Sequence, residues 1–313
     1  MSLAPVGDRL GRLLGGLYVD LARGDHRRSV FLAGTGRSGT TWLSGLVNHD
    51  RRYRNVFEPF HAGKVDVFRG FRSKQYLRPA DRREEFLAPA RRVLSGEIRN
   101  SWMDRGGALV ARRRLIKEVR ANLLLGWMAE NFPGMPIVLL MRHPGAVVSS
   151  RLALGWRDNL DETMGQEELI EDHLLPMRAE ILAARDPFER HLFLWCIDNY
   201  VPLRQFPPGG LHLCFYENLI LDPEPELRRL FAALGRNFDE KALHRINHPS
   251  STSRRGASGD RAVDGWRRGV TGRRLERALE ILGLFGLDRV YGEGLLPDPS
   301  GARALMAETG TRG

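Results

Sequence analysis

Short apolar runs alternate along the chain with longer stretches in which apolar residues recur every three or four positions. Val30-Phe31-Leu32-Ala33, Val56-Phe57, Leu115-Ile116-Lys117 and Leu211-His212-Leu213-Cys214-Phe215-Tyr216 read as strands. Ile137-Val138-Leu139-Leu140-Met141 is apolar throughout, the pattern of a strand buried on both faces of a parallel sheet. Helical spacing joins Trp42, Leu43, Leu46 and Val47; then Leu124, Trp127 and Met128; then Phe188, Leu192, Trp195, Cys196 and Asn199. Leu227, Leu230, Phe231 and Leu234 continue the pattern, and a final helix from near Thr271 buries Leu275, Leu279 and Leu282. Asp222-Pro223 is a helix start, with a cap and then Pro in the first turn, and Gly235 is a stop. Strands alternating with helices predict an α/β fold in which a central parallel sheet is flanked by helices. The 313 residues are read as one domain, with a fraying tail after Leu296, over 297–313.

Composition changes this picture in two places. The net charge is +10, and residues 64–114 alone hold fourteen Lys/Arg against six Asp/Glu. The basic insert, residues 62–114, contains a helical fragment from Arg82 to Leu94 and is expected to be an acceptor lid or a scaffold layer. It carries no recognisable nucleic-acid motif, so no nucleic-acid partner is expected. The two cysteines, Cys196 and Cys214, lie in apolar runs and read as buried free thiols, with no Cys/His metal framework. No apolar run approaches the ~18 residues of a membrane span. The first 28 residues lack a signal-peptide core, because Gly, Asp and Arg interrupt them. Leu10, Leu13, Leu14, Leu17 and Tyr18 read as a small amphipathic helix, packed on the body rather than docked on a membrane, which is the alternative. A cytoplasmic protein, or one peripheral at a membrane, is expected.

The candidate chemistry begins at Gly34-Thr35-Gly36-Arg37-Ser38-Gly39-Thr40-Thr41-Trp42. A strand, a glycine-rich turn and a helix start in that order aim backbone N–H groups and the helix dipole at one spot, an anion cradle. Gly34 to Gly39 has P-loop spacing, but Thr40 stands where the P-loop lysine belongs, and Arg37 supplies a cation instead. A guanidinium holds two oxyanion oxygens at once, so the loop suits a phosphate-like group rather than Mg-NTP. A second anion site is expected where Ile137–Met141 runs into Arg142-His143-Pro144-Gly145, with Ser149 and Ser150 in the following helix. Two anion sites at different strand ends imply a ligand with two separated anionic groups. Glu58 and His61, after Val56-Phe57, are acid/base candidates, with a surface carboxylate and a solvent-facing histidine as the plain alternatives.

Arg37-Ser38-Gly39-Thr40-Thr41-Trp42, followed by Arg142-His143-Pro144 with Ser150 eight residues after Arg142, resembles the PAPS-dependent sulfotransferases, which have a three-layer P-loop-like fold. Tyr216-Glu217-Asn218-Leu219 through Asp222-Pro223, and Gly265-Trp266 through Phe285-Gly286-Leu287-Asp288 and Tyr291, are similar to segments of that family. The resemblance implies PAPS as a consumed cosubstrate, PAP as product, and no metal. It implies that Gly36, Arg37, Ser38, Gly39, Thr40 and Thr41 cradle the 5′-phosphosulfate and that Arg142 and Ser150 bind the 3′-phosphate. Arg254, Arg255 and Gly256 would close over that phosphate, and Tyr216 would approach adenine. Trp42 would stack on adenine or pack its helix. Lys117 matches a catalytic lysine, but Val119 stands where small-molecule members carry the histidine base. Val56-Phe57-Glu58-Pro59-Phe60 resembles carbohydrate-directed members, which implies Glu58 as base, with His61 as the fallback. A carbohydrate or glycolipid acceptor is therefore expected, and a small hydroxylated natural product is the alternative. A P-loop kinase or NTPase, and a binding module that has lost its chemistry, are the competing readings.

Overall fold

The computed structural model describes residues 19–107, 110–246 and 261–308. The stretch from Leu10 to Tyr18 and the candidate residues Arg254, Arg255 and Gly256 lie outside the described residues.

Eight strands are described: β1 Val19–Asp20, β2 Ser29–Gly34, β3 Tyr53–Phe57, β4 Asp104–Gly107, β5 Val110–Ala111, β6 Arg113–Glu118, β7 Ile137–Met141 and β8 His212–Phe215. Six form one sheet in the order β4-β3-β6-β2-β7-β8. Five of these run parallel, and β4 closes one edge antiparallel to β3. β1 and β5 make a small separate parallel pair. The central strand β2 sets Leu32 beside Lys117 on β6 and Val138 on β7.

The apolar runs are long because both faces of the sheet are covered. Side chains alternate between faces along each strand. Phe31, Ala33, Ile116, Leu139 and Met141 face one core, while Val30, Leu32, Leu115, Val138 and Leu140 face the other. On the second face lie helix α1 (Thr40–Val47) and, later in the chain, the helix of Leu227, Leu230 and Phe231. The larger face holds the 19-residue helix Pro187–Gln205, which buries Leu192, Trp195 and Cys196. Its N-cap Asp186 accepts from the amides of Phe188 and Glu189. Burial leaves both cysteines free and pushes their thiols up. Among the described residues no helix is long and apolar enough to cross a membrane.

The basic insert is built into the larger core. Val65, Phe68, Phe71, Tyr76 and Leu77 are buried there, as are Leu87, Ala90, Val93 and Leu94 of helix α2 (Glu84–Leu94). Several of its arginines are held by the chain's own carboxylates. Arg114 is fully buried on Asp20, and Arg78 pairs with Glu171 and Asp172. Much of the charge that stands out in the sequence is thus neutralised internally.

Four expectations need correction. Tyr216 does not end the strand; it opens a short helix, Tyr216–Leu221. The helix after Asp222 starts at Pro223 as its sequence suggests, but the Asp222 side chain makes no capping bond. The segment after Leu296 does not fray at once. Pro299–Ala307 is a helix capped by Asp298, with Ala302, Leu305 and Met306 in the core. Glu308 then pairs with Arg204 and Arg289. Its Pro and Gly content masked an i, i+3, i+4 apolar face. The helix expected from Thr271 spans Arg273–Leu284 and buries Ala278, Ile281 and Leu282, with Leu275 and Leu279 at its half-buried margin.

Candidate active site

The turn between β2 and α1 is closely packed by aromatic rings. Gly39 has φ 99°, and a Cβ there would lie 2.7 Å from the Tyr216 ring. A Cβ on Gly36 would lie 2.8 Å from the ring of Trp156. Arg37 occupies the left-handed region at φ 79°, a strain that L-residues accept only where their surroundings enforce it. The helix begins without a side-chain cap, because its N-cap is Gly39. The Ser38 hydroxyl is fully buried, and no protein group among the described residues satisfies it. A buried orphan hydroxyl at an uncapped helix start fits an anionic ligand with acceptor oxygens.

Helix α3 (Leu125–Asn131) precedes β7, and helix α4 (Pro144–Leu152) follows it and brings the second set of residues to the loop. Arg37 Nε donates to Ser150 Oγ at 3.0 Å, and Arg142 Nη1 donates to the Arg37 carbonyl at 3.1 Å. The two expected anion sites are therefore neighbours, joined through Arg37. The Arg142 guanidinium lies 4.2 Å from the centre of the Tyr216 ring, and Tyr216 meets Trp42 edge-on at 5.4 Å. Trp42 is buried and its Nε1 donates to the Ile246 carbonyl, so the packing role is the one visible here. Thr40 is buried in the first turn and Thr41 is half-buried beside it.

The turn that carries Arg142 is braced from behind. Glu217 accepts from the His143 amide at 2.9 Å and from the Tyr291 hydroxyl at 3.0 Å. His143 stacks on Trp266 at 4.0 Å, and burial lowers its pKa to about 4. Burial also raises the Glu217 carboxyl, an effect that its hydrogen bonds oppose. Trp266 and Tyr291, noticed in the sequence only as part of a similar segment, are thus the supports of the Arg142 turn.

Glu58 lies at the end of β3, beside the end of β6. Its backbone adopts φ 43°, its amide donates to the Lys117 carbonyl at 2.7 Å, and its carbonyl accepts from Trp102 Nε1. Its carboxylate is shared by two cations, Lys117 Nζ at 2.5 Å and Arg120 Nη1 at 2.6 Å. Burial works to raise the Glu58 pKa, but Lys117 and Arg120 overcome it and hold the carboxyl below its ordinary value. Lys117 also lies 4.6 Å from the centre of the Phe57 ring. His61 is half-buried against Trp102, its Nδ1 accepting from the Gly63 amide. Burial and Arg120 depress its pKa, with Glu58 opposing them.

Several residues here escape a local reading of the sequence. Arg120 is the second cation on Glu58. Fully buried Glu118 accepts from the amides of Phe60, Val119 and Arg120, tying the turn after Glu58 to the turn after Lys117. Arg151 donates to the Gly36 carbonyl and to the Thr35 hydroxyl. The only signal for these was position, at or next to a strand end or a candidate site. Among the described residues no His, Cys, Asp and Glu cluster suited to a metal ion is present.

A profile of the sulfotransferase family matches residues 29–240, which include the loop, Glu58, Lys117, Arg142, Ser150 and Tyr216. Three solved structures are similar to the chain. One is a sulfotransferase domain from the curacin biosynthetic pathway, at 15% identity over 81% of this chain and 96% of that one, with a TM-score of 0.46. Another is a sulfotransferase domain from the Synechococcus PCC 7002 olefin synthase, at 17% identity over 82% and 94%, with a TM-score of 0.47. The third is a mouse sulfotransferase complexed with PAP, at 15% identity over 96% of each chain, with a TM-score of 0.45. No curated protein matches the chain significantly.

Proposed function

This chain belongs to the sulfotransferase family, and on that premise we propose that it moves a sulfuryl group from PAPS to a hydroxyl or amine of a carbohydrate or glycolipid acceptor. The observation that carries the reading is the union of two cationic sites on one uncapped loop, with Arg37 bonded to both Ser150 and Arg142. A donor with a phosphosulfate at one end and a phosphate at the other matches such a pair. Gly36, Arg37, Ser38, Gly39, Thr40 and Thr41 hold the 5′ end in this reading, and Arg142 and Ser150 hold the 3′-phosphate. Tyr216, fixed between Arg142 and Trp42, borders the adenine. The orphan Ser38 hydroxyl donates to a donor oxygen.

In the transfer, the acceptor oxygen bonds to sulfur as the bond from sulfur to the bridging phosphate oxygen breaks. Glu58 takes the acceptor proton, and PAP leaves with the electron pair. Proton transfer of this kind is worth about 10²–10⁴ in rate. Arg37, Lys117 and the loop amides stabilise the charge developing on the leaving phosphate, and one such donor is worth about 2.7–4 kcal/mol. Clamped by two cations, Glu58 is ionised but weakly basic. Lys117 turning towards the donor would remove one clamp and raise that basicity. His61 is the fallback base.

The carbohydrate reading rests on the Glu58 segment and on Val119 replacing the histidine of small-molecule members. A small hydroxylated natural product is the second reading. It is favoured by Trp156, 45% exposed beside Gly36, which offers a flat apolar face next to the loop. Incubation with PAPS and an acceptor panel, read by mass spectrometry for the gain of one SO3 unit, tests the function. Turnover with ATP-Mg and none with PAPS would make the chain a kinase or NTPase. PAP binding without turnover on any acceptor would make it a binding module.

A further inference from the structure

Arg151 follows Ser150 in the last turn of the same helix, and its side chain is buried against the loop. It is 4% exposed. Its Nε donates to the Gly36 carbonyl at 3.2 Å, and its Nη2 donates to the Thr35 hydroxyl. Asp198, from the 19-residue helix, lies 3.9 Å from Nη2. That carboxylate is in direct contact with Lys74 Nζ, and Lys74 belongs to the basic insert and has φ 57°. Asp198 is therefore engaged first by Lys74, and the nearer partners of Arg151 are the loop carbonyl and hydroxyl.

Burying a guanidinium is expensive unless its donors are satisfied in good geometry. A site serving stability alone would be filled as well by an apolar side chain of similar volume. Here the donors fork onto two consecutive loop residues, as a planar guanidinium allows and an ammonium does not. The charge also persists, because a guanidinium keeps its proton even when burial works against it. Ion screening reaches such a buried charge far less than a surface one.

We propose that Arg151 is a positioning residue for the 5′ half of the donor site: its buried guanidinium fixes the backbone of Thr35 and Gly36 and sets a positive charge beneath the cradle. Asp198 is the carboxylate nearest the guanidinium, and its own closer partner is Lys74 of the basic insert. The inference rests on the PAPS reading. It concerns the 5′ end only, since Arg151 contacts Thr35 and Gly36 while the 3′-phosphate is assigned to Arg142 and Ser150.

Calorimetric titration with PAP and with adenosine 3′-phosphate, which lacks the 5′-phosphate, provides the test. Loss of a charged hydrogen-bonding group predicts that Arg151→Met weakens PAP about tenfold or more. The affinity for adenosine 3′-phosphate stays within about twofold, inside the spread of a neutral substitution. Arg151→Lys recovers part of the loss. Thr35→Val, which keeps the shape and removes one acceptor, gives a smaller loss with the same selectivity and covers the case in which Arg151→Met fails to fold. Equal weakening of both ligands, or no weakening of PAP, overturns the inference and leaves the donor reading standing. A wild-type protein that binds no PAP overturns both.

Discussion

The loop after β2 and the cluster after β3 lie at the same, carboxyl-terminal end of the parallel strands, and both are built on strained backbone, Arg37 at φ 79° and Glu58 at φ 43°. They differ in what their polar atoms do. In the loop, the Ser38 hydroxyl is buried with no protein partner among the described residues, and the helix start is uncapped. In the cluster, both carboxylate oxygens of Glu58 are taken by cations. The loop leaves a buried hydroxyl unpartnered among the described residues, whereas the carboxylate of the cluster is satisfied by the chain itself. Preorganised donors stabilise developing charge without reorganising at the moment of reaction. A self-satisfied carboxylate acts as a base only once a cation is drawn elsewhere. In the proposed reaction the loop binds the donor, and proton transfer at Glu58 depends on that binding.

Breaking the cluster while sparing the loop should have the largest effect. Glu58→Gln is expected to lower kcat by about 10²–10⁴ and leave PAP affinity unchanged. Steady-state kinetics with a titration of PAP checks this, and unchanged turnover would remove Glu58 from the mechanism. Breaking the loop side reverses the pattern. Arg142→Ala removes a charged partner of the 3′-phosphate, and a loss of about 1.5–3 kcal/mol in PAP binding is expected, read by calorimetry.

The third test sharpens the comparison through pH. Lys117 and Arg120 hold the Glu58 pKa below its ordinary value of 4.5. The carboxylate is thus charged throughout the neutral range, and the acid limb of kcat/KM should fall below that value. Arg120→Gln removes one cation and should move the limb to higher pH. A limb that stays in place would show that Glu58 does not set it. The sign for stability follows from the same depression. The ion pairs contribute fully above the unfolded pKa, and the contribution is lost as pH falls through the lower folded one. Melting curves of wild type and Glu58→Gln should therefore converge as the medium is acidified below that ordinary value.

The smallest effect is expected behind the site. Tyr291→Phe deletes the hydroxyl bonded to Glu217 and leaves a buried carboxylate oxygen without that donor, a loss of about 1–3 kcal/mol in stability. Calorimetric melting should record it, with only a modest change in PAP affinity. A large loss of PAP binding would mean that the Arg142 turn depends on this brace more than the His143 amide contact suggests.

Local pattern alone determined the strand–loop–helix around Gly39, strand Ile137–Met141 and the start of a helix at Pro144. Each depends on neighbours within a few residues, through apolar periodicity, glycine conformation or proline at a first turn, so the information is contiguous in the chain. Residue type at strand ends was enough to single out Glu58 and Arg142 as candidates, and the family resemblance added Lys117. The tertiary structure decided their partners. Lys74 meets Asp198 across 124 positions, Arg151 meets Thr35 across 116, and Arg120 meets Glu58 across 62. Contacts at such separations leave no period in the sequence, because they are made only when the strands take the order β3-β6-β2-β7. The terminal helix was hidden for a related reason. Its weak propensity is overridden by the core into which Leu305 and Met306 pack, and that core exists only after the sheet has assembled.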